Sequence, residues 1–551
     1  MLKMAVENAV KAGALPAAEL PAFVVEVPGD ATHGDLAANL AMVSAKTFGM
    51  PPRKIAEIIV ENMPDNTNSI FKAAEIAGPG FINLFLSDSY FGSVVMAACL
   101  TGQNYGRTKV GNGEKVNVEF VSANPTGPMH LGNARGGALG DCLAEALSWA
   151  GYDVTREFYI NDAGNQVVKF GKSLAARYLQ IILGEEAVEF PEDGYQGEDI
   201  KERAQEFYAL HGDAYAKAEP EALEGALIDY ALPKNIQGLK EDLATYRVHY
   251  DVWFHESTLH ESGAIEDAIA ELDKRGAIYK QDGAVWYKAT NFGGEKDEVL
   301  VRANGIPTYF AADIAYHANK FARGFTKAID VWGADHHGHV ARMKGALDAI
   351  GLDGNKLDIV LMQFVQLVRD GAPVRMSKRT GKAITLTDLL EEVPLDSARF
   401  FFNMREPGSQ IEFDLGLAVK TDAENPVYYV QYAHARICSI LSALKQEGIT
   451  FNPAMGFGNT QLLQTREERA LIRQIAAFPT EIAGAARSYD PARITRYVVE
   501  LATLFHKFYA ACRVKGEQET LLQARLALCN ATKVALANGL TMLKVDVPEK
   551  M

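Results

Sequence analysis

Apolar and polar positions alternate with a period of two over Val116, Val118 and Phe120, and the alternation breaks at Asn124-Pro125-Thr126-Gly127-Pro128. After His130 the period becomes helical: Leu139, Leu143, Leu147 and Ala150 share one face, and Gly151 is a natural stop. Val116 to Gly151 is thereby predicted to be strand, tight loop and helix. Such a junction brings backbone N–H groups and the positive end of a helix to one point, where phosphate binds well. Gly132 permits close backbone approach and His130 adds a donor. A loop of Gly, Asn and Pro is more often only a turn, so the chemistry depends on what faces it.

The same reading divides the rest of the chain. Residues 1–111 form an α+β unit with a short leading helix, a loop around PGDATHGDLAANLAM, two amphipathic helices between Leu36 and Met63, and a turn into a strand at AGPGFINLFLS. Asp30, His33 and Asp35 read as solvated loop residues. Residues 112–368 carry the opening junction, a second strand with a loop at Asn161–Asn165, and a long helix to about Leu183. An acidic stretch follows at about 184–246, containing Pro191, Gly194 and Pro220, and reads as a surface insertion. Asp282-Gly283 and Asn304-Gly305 predict hairpins. A helix from about Ala312 to Phe321 puts Asp313 one turn from Tyr309. Ala328 to Trp332 then runs into Gly333-Ala334-Asp335-His336-His337-Gly338-His339, a third strand-to-loop junction. Open α/β sheets bind ligands at the carboxyl ends of their strands, where these junctions converge.

Residues 369–424 begin with an Asp370-Gly371 turn after one long apolar strand run, and carry Arg375, Lys378, Arg379 and Lys382, a cationic loop suited to clamping a triphosphate. Residues 425–551 are mostly helix-compatible, with Tyr428, Tyr429, Tyr432, Phe505, Phe508 and Tyr509 interleaved with His434, Arg436, His506, Lys507 and Arg513. Most such stripes are bundle core; those beside Arg or His can stack on unpaired bases.

Composition narrows the classes. A chain of 551 residues is too long for one core. Five scattered cysteines without a CxxC pair argue against zinc or a disulfide framework and fit a reducing, cytoplasmic setting. No apolar run approaches about 20 residues, and the first residues lack a secretory pattern, so no membrane role is expected. A formal charge of -15 speaks against generic nucleic-acid binding, so a polyanion must meet a local basic surface. The three histidines of HHGH lack both Cys partners and HExxH spacing, and a polar lining or helix start outranks a metal site.

PTGPMHLGN (Pro125 to Asn133) resembles the HIGH signature of class I aminoacyl-tRNA synthetases, and RMSKR (Arg375 to Arg379) resembles their KMSKS loop. Either motif alone is weak, but the ordered pair on an α/β scaffold is strong. The wider wording, VEFVSANPTGPMHLGNARGGALGD, GADHHGH, RMSKRTGKAITL and QYAHARICSIL, is similar to bacterial arginyl-tRNA synthetases over nearly the whole chain. The resemblance implies a class I Rossmann-type α/β core with the insertion, an N-terminal α+β tRNA-binding domain, and a C-terminal all-α anticodon-binding bundle after the RMSKR loop. It implies ATP-dependent activation of L-arginine to arginyl-adenylate and transfer to the 3′ end of tRNA(Arg), releasing AMP and diphosphate. Mg2+ comes with ATP, no zinc is expected, and the protein is expected to be a monomer.

Carried over residue by residue, the resemblance makes His130, Asn133 and Lys378 catalytic, and adds Gly132, Met376, Ser377 and Arg379 to them around ATP. Glu119, Ser122, Asn124, Asn133, Tyr309, Asp313 and His336 hold arginine; Tyr428, Gln431, Tyr432 and Arg436 contact tRNA. Two positions depart from the pattern. Asn133 replaces the second His of HIGH, and Arg375 replaces the first Lys of KMSKS. Two alternatives remain at this stage: a small nucleotidyltransferase, disfavoured by the long helical tail, and a non-catalytic paralogue, disfavoured by His130, Lys378 and Asp313 occurring together.

Overall fold

The computed structural model describes residues 1–64, 70–374 and 384–551. In the N-terminal unit, β1 (Val25–Glu26), β2 (Leu36–Ala38), β3 (Phe71–Ala77) and β4 (Phe81–Leu86) form an antiparallel sheet in the order β1-β2-β4-β3. Helices Leu2–Lys11 and Pro52–Glu61 bury Val6, Ile55 and Ile59 against Ile82 and Leu84. Leu36–Ala38, expected to open a helix, is instead a strand paired with Ile82–Leu84. So short an apolar run fits either period, and its partner lies far along the chain.

The central sheet contains β5 (Lys115–Glu119), β6 (Asp153–Ile160) and β7 (Val252–His255). A side sheet of β8 (Ile278–Gln281), β9 (Ala284–Tyr287) and β10 (Glu298–Val301) follows, and β11 (Lys327–Gly333) and β12 (Leu357–Met362) complete the central one. Its five strands are parallel in the order β12-β11-β5-β6-β7. The chain moves outward from β5 to β7 and returns to the other side of β5 at β11, so the switch point lies between β5 and β11. The Asp-Gly hairpin joins β8 to β9, with φ of 50° at Asp282 and 77° at Gly283.

Helix Leu131–Trp149 lays Leu139, Leu143 and Leu147 into the core formed with Phe120, Phe158 and Val331. A β-carbon on Gly140 would overlap the Phe120 ring, so the close approach of helix and strand requires glycine there. The apolar run read as one long strand is two. β12 stops at Met362, and β13 (Val365–Arg369) joins β14 (Ala372–Val374) and β15 (Ile411–Asp414) in a separate sheet. Buried Arg135 fixes the step by donating to the carbonyl of Gln363 and, at 2.9 Å, to that of Ser409.

Helices Glu198–His211 and Pro220–Thr245 pack on helix Asn165–Leu183 through Phe170, Tyr178, Phe207 and Leu227. Four long helices, Pro426–Gln446, Arg466–Ser488, Ala492–Ala511 and Glu519–Met542, bury Ile475, Phe478, Val498 and Leu528 in one core that also takes in Phe91 and Trp149. Buried Arg399 ties this bundle to helix Leu131–Trp149, donating to Asp141 at 2.6 Å and to the Leu543 carbonyl at 3.0 Å. The structure has the expected α/β core with an α+β unit before it and a helical bundle after it. Among the described residues, no helix is long and apolar enough to cross a membrane.

Candidate active site

Where β5 ends, the backbone turns sharply. Val121 and Ser122 have φ of 69° and 43°, left-handed values that a β-branched residue adopts only under strain. Surrounding bonds hold the turn: Ser122 Oγ donates to Glu119 Oε1 at 2.8 Å and accepts from Tyr159 N at 3.1 Å, and the Tyr250 hydroxyl donates to the Phe120 carbonyl at 2.9 Å. Beyond it His130 is the N-cap of helix Leu131–Trp149, and Asn133 Oδ1 reaches back to accept the His130 N–H at 2.9 Å. The His130 ring and Gly132 are exposed, and nothing lies within 4 Å of where a β-carbon on Gly132 would sit.

The segment 375–383, which carries Met376, Ser377, Lys378 and Arg379, lies outside the described residues. Its exit is nevertheless placed. Thr385 forms an antiparallel bridge with His130, and Leu386 N donates to the Met129 carbonyl at 2.9 Å.

A cavity of about 640 Å³ lies over the turn, with Ser122, Asn124, His130, Asn133 and His336 on one side and Tyr195 and Gln196 of the insertion on the other. A deeper pocket of about 310 Å³ shares Val121, Ser122 and His336 with it and is lined by Glu119, Tyr159, Glu256, Tyr309, Asp313 and Asp330. The structure thus brings together the residues expected to hold arginine. Ser122 and His336 border both spaces, Glu119, Tyr309 and Asp313 line only the inner one, and Asn124 and Asn133 line only the outer one.

The four carboxylates of the inner pocket differ in their partners. Fully buried Lys320 donates to Glu119 Oε2 at 2.6 Å and to Asp330 Oδ1 at 2.8 Å. His317 faces acceptors with both ring nitrogens, Nδ1 at 2.8 Å from the Asp313 carbonyl and Nε2 at 2.8 Å from Asp330 Oδ2, so it is a double donor and cationic. Burial works against the charge of His317, but the bond and charge of Asp330 outweigh it and hold its pKa above the usual range. Burial likewise opposes ionisation of Asp330, and Lys320 and His317 overcome it and bring its carboxyl down to about 2. For Glu119 burial prevails over Lys320, and its carboxyl is raised.

Asp313 and Glu256 have no Lys or Arg partner among the described residues. Asp313 is half-exposed, its Oδ2 lying 3.2 Å from His339 Nε2. Glu256 is 2% exposed, and burial raises its carboxyl. The Asn161 amide, turned to satisfy both its ends, donates to Glu256 Oε2 at 3.1 Å. A pocket whose inner wall carries carboxylates without a strong counterion suits a planar cation that donates paired bonds to them. Glu256 was not singled out in the sequence; its signal was its place immediately after β7, at the carboxyl end of a central strand.

On the far side of His130 a cleft of about 520 Å³ has apolar walls, Phe364, Val365, Val374 and Ile411, and is bounded by Gly132 and Ile384. Arg135 holds this wall through carbonyl oxygens, and burial brings its guanidinium down to about 10. Among the described residues no three of His, Cys, Asp or Glu are grouped as a metal ion requires. In the HHGH stretch, His336 borders the cavities, His337 is exposed and His339 is committed to Asp313.

Three family models match in succession: "Arginyl tRNA synthetase N terminal domain" over residues 1–86, "tRNA synthetases class I (R), catalytic domain" over 95–412, and "DALR anticodon binding domain" over 430–551. The chain is 56% identical over 549 residues to the arginine–tRNA ligase of Caldanaerobacter subterraneus subsp. tengcongensis, covering 99% of this chain and 97% of that one. The chain belongs to the arginyl-tRNA synthetase family. A second relative, the arginine–tRNA ligase of Ruminiclostridium cellulolyticum, is 53% identical over 547 residues, with 99% of this chain and 97% of that one covered. The Thermus thermophilus arginyl-tRNA synthetase structure superposes with a TM-score of 0.76 over 100% of this chain and 99% of that one, and at 23% identity it speaks for the fold alone.

In this family member the expected tRNA residues separate by helical phase. Tyr428, Tyr432 and Arg436 recur every four residues along helix Pro426–Gln446. The Tyr428 and Tyr432 rings are 6.4 Å apart and 7° from parallel, Tyr432 stacks on His506 at 6.0 Å, and Arg436 lies over Tyr509 at 4.6 Å. Gln431 does not join them. It lies off that row, buried, and donates to Asp396 Oδ2 at 2.7 Å and to the Asp546 carbonyl at 3.0 Å, fastening the C-terminal segment. His434 does the same through Pro548 at 2.9 Å.

Proposed function

We propose that this chain is an arginine–tRNA ligase that activates L-arginine with ATP and passes it to the 3′ end of tRNA(Arg). The supporting observation is the carboxylate pocket of Asp313 and Glu256, which opens through Ser122 and His336 into the cavity over the His130 turn. The guanidinium sits against Asp313, Glu256 and the Tyr309 hydroxyl, which leaves the amino-acid end facing Ser122, Asn124 and Asn133. The arginine carboxylate oxygen attacks the α-phosphorus of ATP; the new O–P bond replaces the one to diphosphate, and no covalent enzyme intermediate forms. A ribose hydroxyl of the terminal tRNA nucleotide then attacks the carbonyl, and AMP leaves.

Both reacting groups are anionic, so positioning and charge compensation carry the rate. The helix start at His130 and Gly132 faces the phosphates, the apolar cleft beside Phe364 takes the adenine, and Lys378 with Met376, Ser377 and Arg379 closes on the β- and γ-phosphates of ATP–Mg2+. Bases of the anticodon loop stack on Tyr428 and Tyr432 beside Arg436, while the N-terminal unit meets the D-loop side. On this reading the enzyme works as a monomer in the cytoplasm. ATP–pyrophosphate exchange that depends on arginine and is stimulated by tRNA tests it; no exchange with arginine, tRNA and ATP–Mg2+ all present refutes it.

A further inference from the structure

The third histidine of the HHGH stretch ends a chain of bonds that leads to Asp313. Arg342 Nε donates to His339 Nδ1 at 2.8 Å, and since an arginine nitrogen only donates, Nδ1 is the acceptor. The ring proton therefore sits on Nε2, which faces Asp313 Oδ2 at 3.2 Å. Arg342 is itself fixed, with NH1 2.7 Å from Glu298 Oε1 and its guanidinium 5.3 Å from the Phe310 ring. The imidazole is held between Trp332 at 5.3 Å and Phe310 at 5.5 Å. Glu298, Arg342 and His339 come from β10 and helix His337–Ala349, whereas Asp313 is on helix Tyr309–Ala322.

We propose that His339 is a positioning residue for amino-acid selection, an uncharged donor that fixes the Asp313 carboxylate without neutralising it. The contrast with the neighbouring carboxylates carries the argument. Lys320 takes up the charge of Glu119 and Asp330 directly, whereas the imidazole keeps the Arg342 charge one residue removed from Asp313. The imidazole takes one acceptor site of one carboxylate oxygen, and the remaining sites on both oxygens, with the charge, are left for the ligand. An anchored rotamer matters because a planar fork-to-fork pair tolerates little misalignment. This inference rests on the arginine-binding reading of the pocket.

The test is the KM for arginine and for ATP in tRNA-stimulated pyrophosphate exchange, for His339→Phe, His339→Gln, Arg342→Met, the His339→Phe/Arg342→Met double variant and Asp313→Asn. Phe keeps the ring packing but loses both bonds, and its arginine KM is expected to rise roughly tenfold, as for a lost hydrogen bond to a charged group, with the ATP KM unchanged within about twofold. Gln can accept from Arg342 and donate to Asp313, and recovers most of the loss. Arg342→Met shifts the arginine KM in the same direction, and the double variant is no worse than His339→Phe alone. An arginine KM unchanged in His339→Phe, an equal rise in the ATP KM, or no difference between Phe and Gln overturns the inference. If His339→Phe does not fold, Arg342→Met decides by the same comparison of the two KM values. A silent Asp313→Asn refutes the reading of the pocket itself; an impaired Asp313→Asn beside a silent His339→Phe refutes only the role of His339.

Discussion

Asn133 accepts the backbone N–H of His130 through its side-chain oxygen at 2.9 Å, closing the first turn of the helix on which the proposed nucleotide site is mounted. The residue that stands where the HIGH signature has its second histidine is therefore also a cap. Asn133→Ala is expected to lose about 1 kcal/mol of stability and to slow exchange. Asn133→Asp keeps an acceptor and suits a helix start, so its melting temperature is retained, yet it sets a negative charge beside the phosphates and slows exchange more than the alanine variant. Melting curves and exchange rates of the two variants together separate capping from catalysis.

Asp313→Asn removes the anchored charge and is expected to raise the KM for arginine by roughly tenfold to a hundredfold, corresponding to about 1.5–3 kcal/mol for a bond to a charged group. Glu256→Gln has the smaller effect, because burial already disfavours its ionised form. Steady-state exchange with varied arginine measures both.

Lys378→Ala is expected to reduce the exchange rate by roughly two to three orders of magnitude while leaving the KM for arginine nearly unchanged, as for loss of a group that binds charge in the transition state. An equal loss in both parameters would place Lys378 with arginine instead.

His317 sets a pH dependence of stability. Its folded pKa is raised, burial working against the charge and Asp330 overcoming it, so its stabilising contribution is fully present below the unfolded value near 6.5 and is lost as pH rises through the folded value. The difference in melting temperature between the parent and His317→Gln is expected to shrink over the range in which pH rises from about 6.5 through the folded value. A difference that stays constant across that window would mean that His317 is not cationic in the fold.

Tyr432→Ala removes a ring from the stack with Tyr428 and His506, and is expected to weaken tRNA binding by about 1–3 kcal/mol, with arginine and ATP constants unchanged. Arg436→Met should in addition lessen the salt dependence of tRNA binding. Filter binding at several salt concentrations distinguishes the two.

The strand-turn-helix at Val116 to Gly151 was legible because its period changes from two to that of a helix and because its glycines and prolines cluster at the junction. The Tyr309–Asp313 pair was legible because one helical turn fixes it. Glu256 and the Lys320 link to Glu119 and Asp330 were not, since they join β5, β7, β11 and a helix far apart in the chain, and only sheet order brings them together. The left-handed Val121 and Ser122 were hidden for a different reason: nothing in a Val-Ser dipeptide signals positive φ, and tertiary bonds impose it. Gln431 came with Tyr428, Tyr432 and Arg436 from the family resemblance, and helical phase sets it off their row and turns it toward Asp396.

The central claim is arginine selection by a carboxylate pocket joined to a nucleotide site. ATP–pyrophosphate exchange with each of the amino acids in parallel, with and without tRNA(Arg), tests it most directly. The predicted result is exchange with arginine alone, stimulated by the tRNA and lost in Asp313→Ala. Exchange with a different amino acid, or arginine-dependent exchange that persists undiminished in Asp313→Ala, would contradict it.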